Sequence, residues 1–330
     1  ISTSATGLFG SLPVIGIANF PSLNNAGDNL RLRDHRGQGI DSVKYSLDWF
    51  HDEDKAAGGW SLELIDPDNP CGEAGNWSAC ENERGGTPGE PNSVRASKPD
   101  LKPPVVLAVR SVDSLRLEVS FDEILKLSSL GESIIELFPP LPVQAVQMDP
   151  SLKRIEITLS GKLLEKQPYQ LHLEGVRDCN GNLMEPVEMR FGLSEPADSL
   201  DVLLSEVLFN PRPGGVDFVE IFNASEKFID LEGWAISNGE SSVVVSGGQL
   251  GPREWVALSG DPVTVQSQYP GTVPGNLQKS DLPSLPDDEG TILLYSQSGR
   301  LMDQLSYSEG WHSFMLQSTD GVSLERIDFL

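Results

Sequence analysis

Apolar and polar residues alternate in short runs along most of the chain, as in Leu115-Arg116-Leu117-Glu118-Val119-Ser120-Phe121 and Ile155-Glu156-Ile157-Thr158-Leu159. A period of two places the apolar set on one face, the mark of strands covered on one side. The 32 Gly and 24 Pro punctuate these runs, at intervals of roughly eight to fifteen residues, and helical spacing does not persist beyond about two turns. Short antiparallel strands joined by turns predict an all-β chain of sandwich domains. At 330 residues there is length for about two or three of them, each with its own core.

The chain also repeats itself. Residues 21–66 align without a gap on residues 283–328, at a constant offset of 262, and 15 of the 46 positions are identical. Identities include Pro21-Ser22-Leu23 with Pro283-Ser284-Leu285, Gly37 with Gly299, Asp41 with Asp303, Tyr45 with Tyr307, Trp49 with Trp311, and Ser61-Leu62-Glu63 with Ser323-Leu324-Glu325. Leu30 and Leu32 alternate as Ile292 and Leu294 do, a glycine turn follows, and Val43 and Tyr45 return as Leu305 and Tyr307. Each copy therefore predicts strand, turn and strand. Residues 201–262 have no counterpart before the first copy, and residues 67–93 have none after the second. The expectation is of modules cut at different places in a longer protein, the first lacking opening strands and open to pairing with another chain. Pro-containing polar linkers at 97–104 and 194–199 delimit a third domain between them and predict limited hinge motion.

Three regions of the chain carry resemblances. Ser205-Glu206-Val207-Leu208-Phe209-Asn210-Pro211, Asp217-Phe218-Val219-Glu220-Ile221-Phe222-Asn223 and Ile229-Asp230-Leu231-Glu232-Gly233-Trp234 resemble the opening half of the lamin tail domain, an immunoglobulin-like sandwich. Gly59-Trp60-Ser61-Leu62-Glu63 and Thr87-Pro88-Gly89 with Asn92-Ser93 resemble its second half. Leu117-Glu118-Val119-Ser120-Phe121-Asp122-Glu123, with the run from Leu164 through Gly175 to Asn182, is similar to a bacterial immunoglobulin-like domain of surface-layer and cell-wall proteins. The resemblances imply tandem immunoglobulin-like β-sandwich domains: a tail-domain-like module lacking its N-terminal part at 1–98, a bacterial immunoglobulin-like domain at 99–195, and a tail-domain-like module lacking its C-terminal end at 196–330. Cys179 sits where that bacterial domain commonly has a small residue, so its pairing is not required.

Charge narrows the partners. The net charge of −25 repels phosphate backbones and anionic lipid surfaces, which argues against direct nucleic-acid binding. Residues 196–330 alone contribute −14, a solvated acidic surface suited to an exported protein. No run approaches the roughly 18–20 apolar residues of a membrane span, and no export signal opens the sequence. Cys71 and Cys80 flank a short loop, Cys-Gly-Glu-Ala-Gly-Asn-Trp-Ser-Ala-Cys, with no ligand partners at zinc spacing. A local Cys71–Cys80 disulfide is expected, and with it an oxidising, extracellular or periplasmic location. Cys179 is left without an obvious partner.

Candidate chemistry is sparse. The four histidines, His35, His51, His172 and His312, lie in no recognisable nucleophile setting, and hydrolase, zinc-protease and phosphate-loop motifs are missing from the sequence. His51-Asp52-Glu53-Asp54, Asp66-Pro67-Asp68-Asn69 and Asp287-Asp288-Glu289 offer oxygen ligands for calcium, without helix-loop-helix spacing. Acidic turns account for them more simply, so no cofactor is expected. Glu206 and Glu220 could pair as glycosidase carboxylates, although the tail-domain resemblance makes them structural. Trp49 and Trp311 are expected in packing positions and Trp60 inward, while Trp77 is expected to be exposed. Trp77 and His51 are accordingly the candidate ligand contacts. The expectation is a non-catalytic structural, adhesive or protein-binding segment of an exported bacterial surface protein. The alternative is a carbohydrate-binding accessory region of a secreted hydrolase or nuclease whose catalytic domain lies elsewhere. A cell-surface protein or a glycan is the expected partner class.

Overall fold

A computed structural model describes residues 16–17, 19–69 and 71–329. Residues 1–15 of the expected first module and Leu330 of the third lie outside them. The chain divides into two compact units, Ile1–Lys102 with Cys179–Asn182, and Pro103–Asp178 with Leu183–Leu330. Strands dominate both, as the period of two requires.

In the first unit, β1 (Gly27–Arg33) and β2 (Gly39–Ser46) form an antiparallel hairpin. Its turn is set by Asp34, whose carboxylate accepts from the Arg36 and Gln38 amides at 2.8 Å each, and by Gly37, whose φ of 82° is open to glycine at little cost. Ser46 then caps a 3-10 turn, Leu47–Phe50, and Asp52 caps the short helix α1 (Glu53–Ala56). Strand β3 (Leu62–Leu64) pairs antiparallel with β4 (Trp77–Ala79). The loop that follows closes back over β3. Glu63 is 4% exposed, and its carboxylate accepts from the Ser93 amide and hydroxyl at 2.7 Å each and from the Thr87 hydroxyl. Asn92 Nδ2 donates to the Leu64 carbonyl at 2.9 Å. These bonds explain why Glu63 lies in one run while Thr87, Asn92 and Ser93 lie in another.

The second unit holds two separate sandwich cores. In the first sandwich, β5 (Val106–Asp113), β6 (Arg116–Phe121), β8 (Val143–Met148) and β9 (Arg154–Leu159) form a sheet in the order β5-β6-β9-β8. It faces a sheet of β7 (Ile134–Phe138), β10 (Tyr169–Glu174) and β11 (Val187–Phe191), ordered β11-β10-β7. The alternating residues Leu117, Val119, Phe121, Ile155, Ile157 and Leu159 all lie in the core between them. Seven antiparallel strands in two sheets make an immunoglobulin-like sandwich.

The last sandwich is built from β12 (Val202–Leu208), β13 (Phe218–Asn223), β14 (Ile229–Ser237), β15 (Ser242–Leu250), β16 (Trp255–Ser259), β17 (Leu277–Lys279), β18 (Glu289–Tyr295), β19 (Leu301–Ser308) and β20 (Leu324–Glu325). Its sheets run β17-β16-β13-β12-β20 and β15-β14-β18-β19. Helix α2 (Pro262–Gln268), with Asp261 as its cap, contributes Val265 to a small outer cluster with Leu208, Phe218 and Ala257. Hairpin β18–β19 repeats β1–β2 residue for residue. Its strand limits, its end pair Glu289↔Ser308, its irregularity before Tyr295 and its Gly299 turn (φ 77°) all fall 262 positions after their counterparts.

Within this unit the two sandwiches are joined through a polar contact. Gln249 accepts from the Gly192 amide (2.8 Å) and donates to the Gly192 carbonyl (2.9 Å) and the Ser194 hydroxyl (2.6 Å). Arg110 bridges Glu118 (2.9 Å) and Asp230 (2.8 Å). Lys227 Nζ holds the connecting segment through Asp198 (2.6 Å), Asp201 (2.7 Å) and the Pro196 carbonyl (3.2 Å).

Candidate functional site

The cysteine expectation is corrected by the fold: Cys71 is bonded to Cys179, their Cα atoms 6.2 Å apart, and Cys80 is free and buried. The reason lies in β4. Its pairing with β3 carries the Cys80 amide to the Ser61 carbonyl at 2.8 Å and sets the thiol 3.4 Å from the Ser93 hydroxyl. A 3-10 turn, Glu73–Asn76, and β4 intervene between the two cysteines of the loop. Cys71 instead lies beside Asn69, whose Oδ1 accepts from Asn180 Nδ2 at 3.0 Å, and that contact places Cys179 next to it. A separation of 108 residues hid this pairing from a reading based on spacing.

The first unit has an apolar groove of about 590 Å³ between hairpin β1–β2, the α1 turn and β3–β4. Leu30, Val43, Tyr45, Trp60, Leu62 and Trp77 are among the residues lining it. Of the two sequence candidates, Trp77 lines this groove, half-buried and tilted against Trp49 at a centroid distance of 6.2 Å. His51 does not line it. It is exposed in a left-handed conformation (φ 52°) at the end of the 3-10 turn, so the two candidates are not brought together in one site. Trp60 lies at the groove with the Lys55 ammonium 4.9 Å over its ring. Trp311, expected in packing, is instead 61% exposed, because it ends a 3-10 turn beyond β19.

The acidic candidates serve the backbone. Asp52 caps α1 through the Lys55 amide (3.1 Å), and Asp66 accepts from the Asp68 (2.9 Å) and Lys98 (2.6 Å) amides. Glu206 and Glu220 are direct cross-strand neighbours, and Glu325 pairs with Glu206 on its other side. Burial first, then the neighbouring carboxylates, raises the pKa of Glu206, against a lowering bond from the Ser323 hydroxyl at 2.5 Å. Glu220 is raised in the same way and accepts from the Ser205 hydroxyl at 2.7 Å. Asp217, half-buried near Asp287, is pushed up to about 6 by burial and that second negative charge. Serine hydroxyls thus hold both strand glutamates in a structural arrangement.

The signal that sequence reasoning passed over was in the repeat. Asp41, Tyr45, Ser61 and Leu62 are identical to Asp303, Tyr307, Ser323 and Leu324, and in the last sandwich each of those four touches β12 or the residue that follows it. Leu204 N–H donates to Asp303 at 2.9 Å, and Phe209, next after β12, stacks on Tyr307 at 4.3 Å. Ser323 bonds Glu206, and Leu324 pairs with Val207.

Residues 195–309 match the family described as the Lamin Tail Domain, which includes β12 and the hairpin that repeats β1–β2. No curated protein matches the chain significantly. Among solved structures, the N-terminal part of the bacterial S-layer protein SbsC is similar at 13% identity and a TM-score of 0.27, over 62% of this chain and 43% of that one. The Yersinia pseudotuberculosis adhesin InvE is similar at 10% identity and a TM-score of 0.20, over 62% and 58%. The chain spans about two-fifths of the S-layer chain it matches. Likeness at these levels bears on neither domain arrangement nor function.

Proposed function

We propose that the chain is a non-catalytic scaffold or adhesive segment of an exported bacterial surface protein, organised as tail-domain-like modules at 1–98 and 196–330 around an immunoglobulin-like domain at 99–195. The observation that carries this reading is where the buried polar groups are directed. Asn223, fully buried, donates to the carbonyls of Lys227 (2.7 Å), Leu250 (3.2 Å) and Gly251 (2.8 Å). Asn76 donates to those of Asp66 and Asn69 at 2.7 Å each. Glu63 and Gln249 likewise bind backbone or neighbouring hydroxyls. Polar groups spent on fixing loops stiffen a fold, as a scaffold requires. The Cys71–Cys179 bond fits an oxidising compartment.

A cell-surface protein is the partner class favoured by an open apolar groove lined by Leu30, Val43, Tyr45 and Leu62 on an otherwise acidic chain. A glycan is the second reading, favoured by the half-buried Trp77 ring in that groove. Incubating the purified chain with nuclease, phosphatase and glycosidase substrates tests the first reading: no turnover is expected, and turnover that co-purifies with the chain overturns it. Glycan-array binding that is lost on Trp77→Ala would establish the second.

A further inference from the structure

The last sandwich holds a cleft at one of its ends. It encloses about 770 Å³ between the β12–β13 connection, Gly260 after β16, and the segment 281–287 that leads into β18. All of its walls come from residues 210–287, inside the stretch 195–309 that matches the tail-domain family. Pro211, Pro213, Leu282 and Pro283 give it apolar sides, and Asp217, Asp281 and Asp287 supply carboxylates. Arg212, the basic residue on its wall, holds its guanidinium over the Tyr269 ring at 5.5 Å.

These carboxylates differ from their neighbours in lacking partners. Elsewhere in the sandwich, Asp198 and Asp201 meet Lys227, Asp303 meets Arg326 and Glu226 meets Arg253. In the cleft, the Ser259 and Ser280 hydroxyls donate to the backbone carbonyls of Asp217 (2.8 Å) and Asp281 (3.3 Å). No donor or cation meets the three carboxylates themselves among the described residues. Asp217 is half-buried in this state, and burial together with Asp287 pushes it up to about 6, as befits a charge without a counter-charge.

The repeat shows that the turn does not require these charges. At the offset of 262, Asp281 and Asp287 correspond to Asn19 and Asn25, while Pro283-Ser284-Leu285 between them recurs as Pro21-Ser22-Leu23. Turn and packing residues are shared, and the two charges belong to the second copy. A lone metal ion does not fit, because the three carboxylates do not bring their oxygens within coordination reach of one point. A cleft of this size instead takes a ligand of several side chains' bulk.

We propose that this cleft docks a lysine- or arginine-bearing segment of a partner protein. Its prolines and Leu282 cover the aliphatic stems, since long basic side chains lay their methylenes on apolar surface. Asp217, Asp281 and Asp287 supply the counter-charges for the cationic heads, and the charge of −14 on residues 196–330 draws such a segment in. The inference goes beyond the partner class proposed above by naming its chemistry and a surface separate from the groove of the first unit.

The test titrates a labelled, end-capped peptide, Lys-Ala-Lys-Ala-Lys-Ala-Lys, into the 330-residue chain and follows anisotropy. Saturable binding at one site is expected. Asp217→Asn combined with Asp287→Asn should weaken it about tenfold or more. Glu226→Gln combined with Glu240→Gln removes the same charge from exposed positions of the same sandwich and should weaken it less than about twofold. Asp281→Asn with Asp287→Asn places amides where the first copy has them, so that pair, expected to cost about threefold or more, keeps the test valid if Asp217→Asn fails to fold. Absence of binding, or equal weakening by the cleft pair and the control pair, overturns the inference, the attraction then being diffuse. Spermine should displace the peptide only at higher concentration; spermine binding as tightly as the peptide overturns the choice of a protein segment. None of these failures touches the scaffold reading, which the turnover assay tests separately.

Discussion

The ring of Phe209 stacks on that of Tyr307 with centroids 4.3 Å apart, joining the strand that opens the last sandwich to the hairpin that closes it. Phe209 is 1% exposed. Phe209→Ala leaves a cavity against Tyr307 and should cost about 3–5 kcal/mol, read as a lower denaturation midpoint for the second unit. A loss under about 1 kcal/mol would mean that the stack contributes little beyond ordinary surface contact.

The cysteine pairing is open to direct chemical mapping. Non-reducing peptide maps should join Cys71 to Cys179, and Cys80 should react with thiol reagents only after denaturation, being fully buried. Cys179→Ser should destabilise the first unit by about 2–5 kcal/mol. A Cys71–Cys80 peptide in the map would contradict the fold of β4.

Acidity should act in opposite directions on the two units. Asp217, raised to about 6 from 3.8, takes up its proton more readily folded than unfolded. Its contribution is therefore present below about pH 4 and is lost as pH rises through about 6. Glu206 and Glu220, raised mainly by burial, act in the same sense. Melts of the second unit should rise on going from pH 7 to pH 5, and Asp217→Asn should flatten that rise. Glu63 runs the other way: burial pushes it up, but bonds from Thr87, Ser93 and Cys80 together lower it below 4.5. Its stabilisation is present above about pH 4.5 and is lost as pH falls through its lowered value, so the first unit should soften first in acid.

Gln249 holds the two sandwiches of the second unit through both backbone groups of Gly192. Gln249→Ala leaves a part-buried amide without its acceptor, a cost of about 1–3 kcal/mol. Hydrogen exchange at Gly192 should accelerate while the sandwich cores, read at Leu171 and Ile221, keep their protection. Equal acceleration throughout would show that the contact supports the whole unit and not the junction alone.

Much of this protein was legible in its residues. The alternation in residues 115–121 and 155–159 predicted strands whose apolar face is the observed core, because a strand's two faces are fixed by neighbouring positions. The constant offset of 262 predicted the recurrence of strand, turn and strand, since those depend on residues within one short segment. The closing motif from Thr87 to Ser93 was visible too, but its purpose was not: only folding brings it onto Glu63.

What the tertiary structure alone decided are the relations between distant segments. Cys71 pairs with a residue 108 positions away, because β4 sequesters the nearer thiol. Trp77 and His51 part company because the 3-10 turn Leu47–Phe50 carries His51 to the surface while β4 turns Trp77 into the groove. Sequence by itself determined the strands, the hairpin turns and the repeat, all set by local period and backbone preference. Pairing of cysteines and exposure of aromatics depend on which surfaces meet, and that is settled only when the sheets pack.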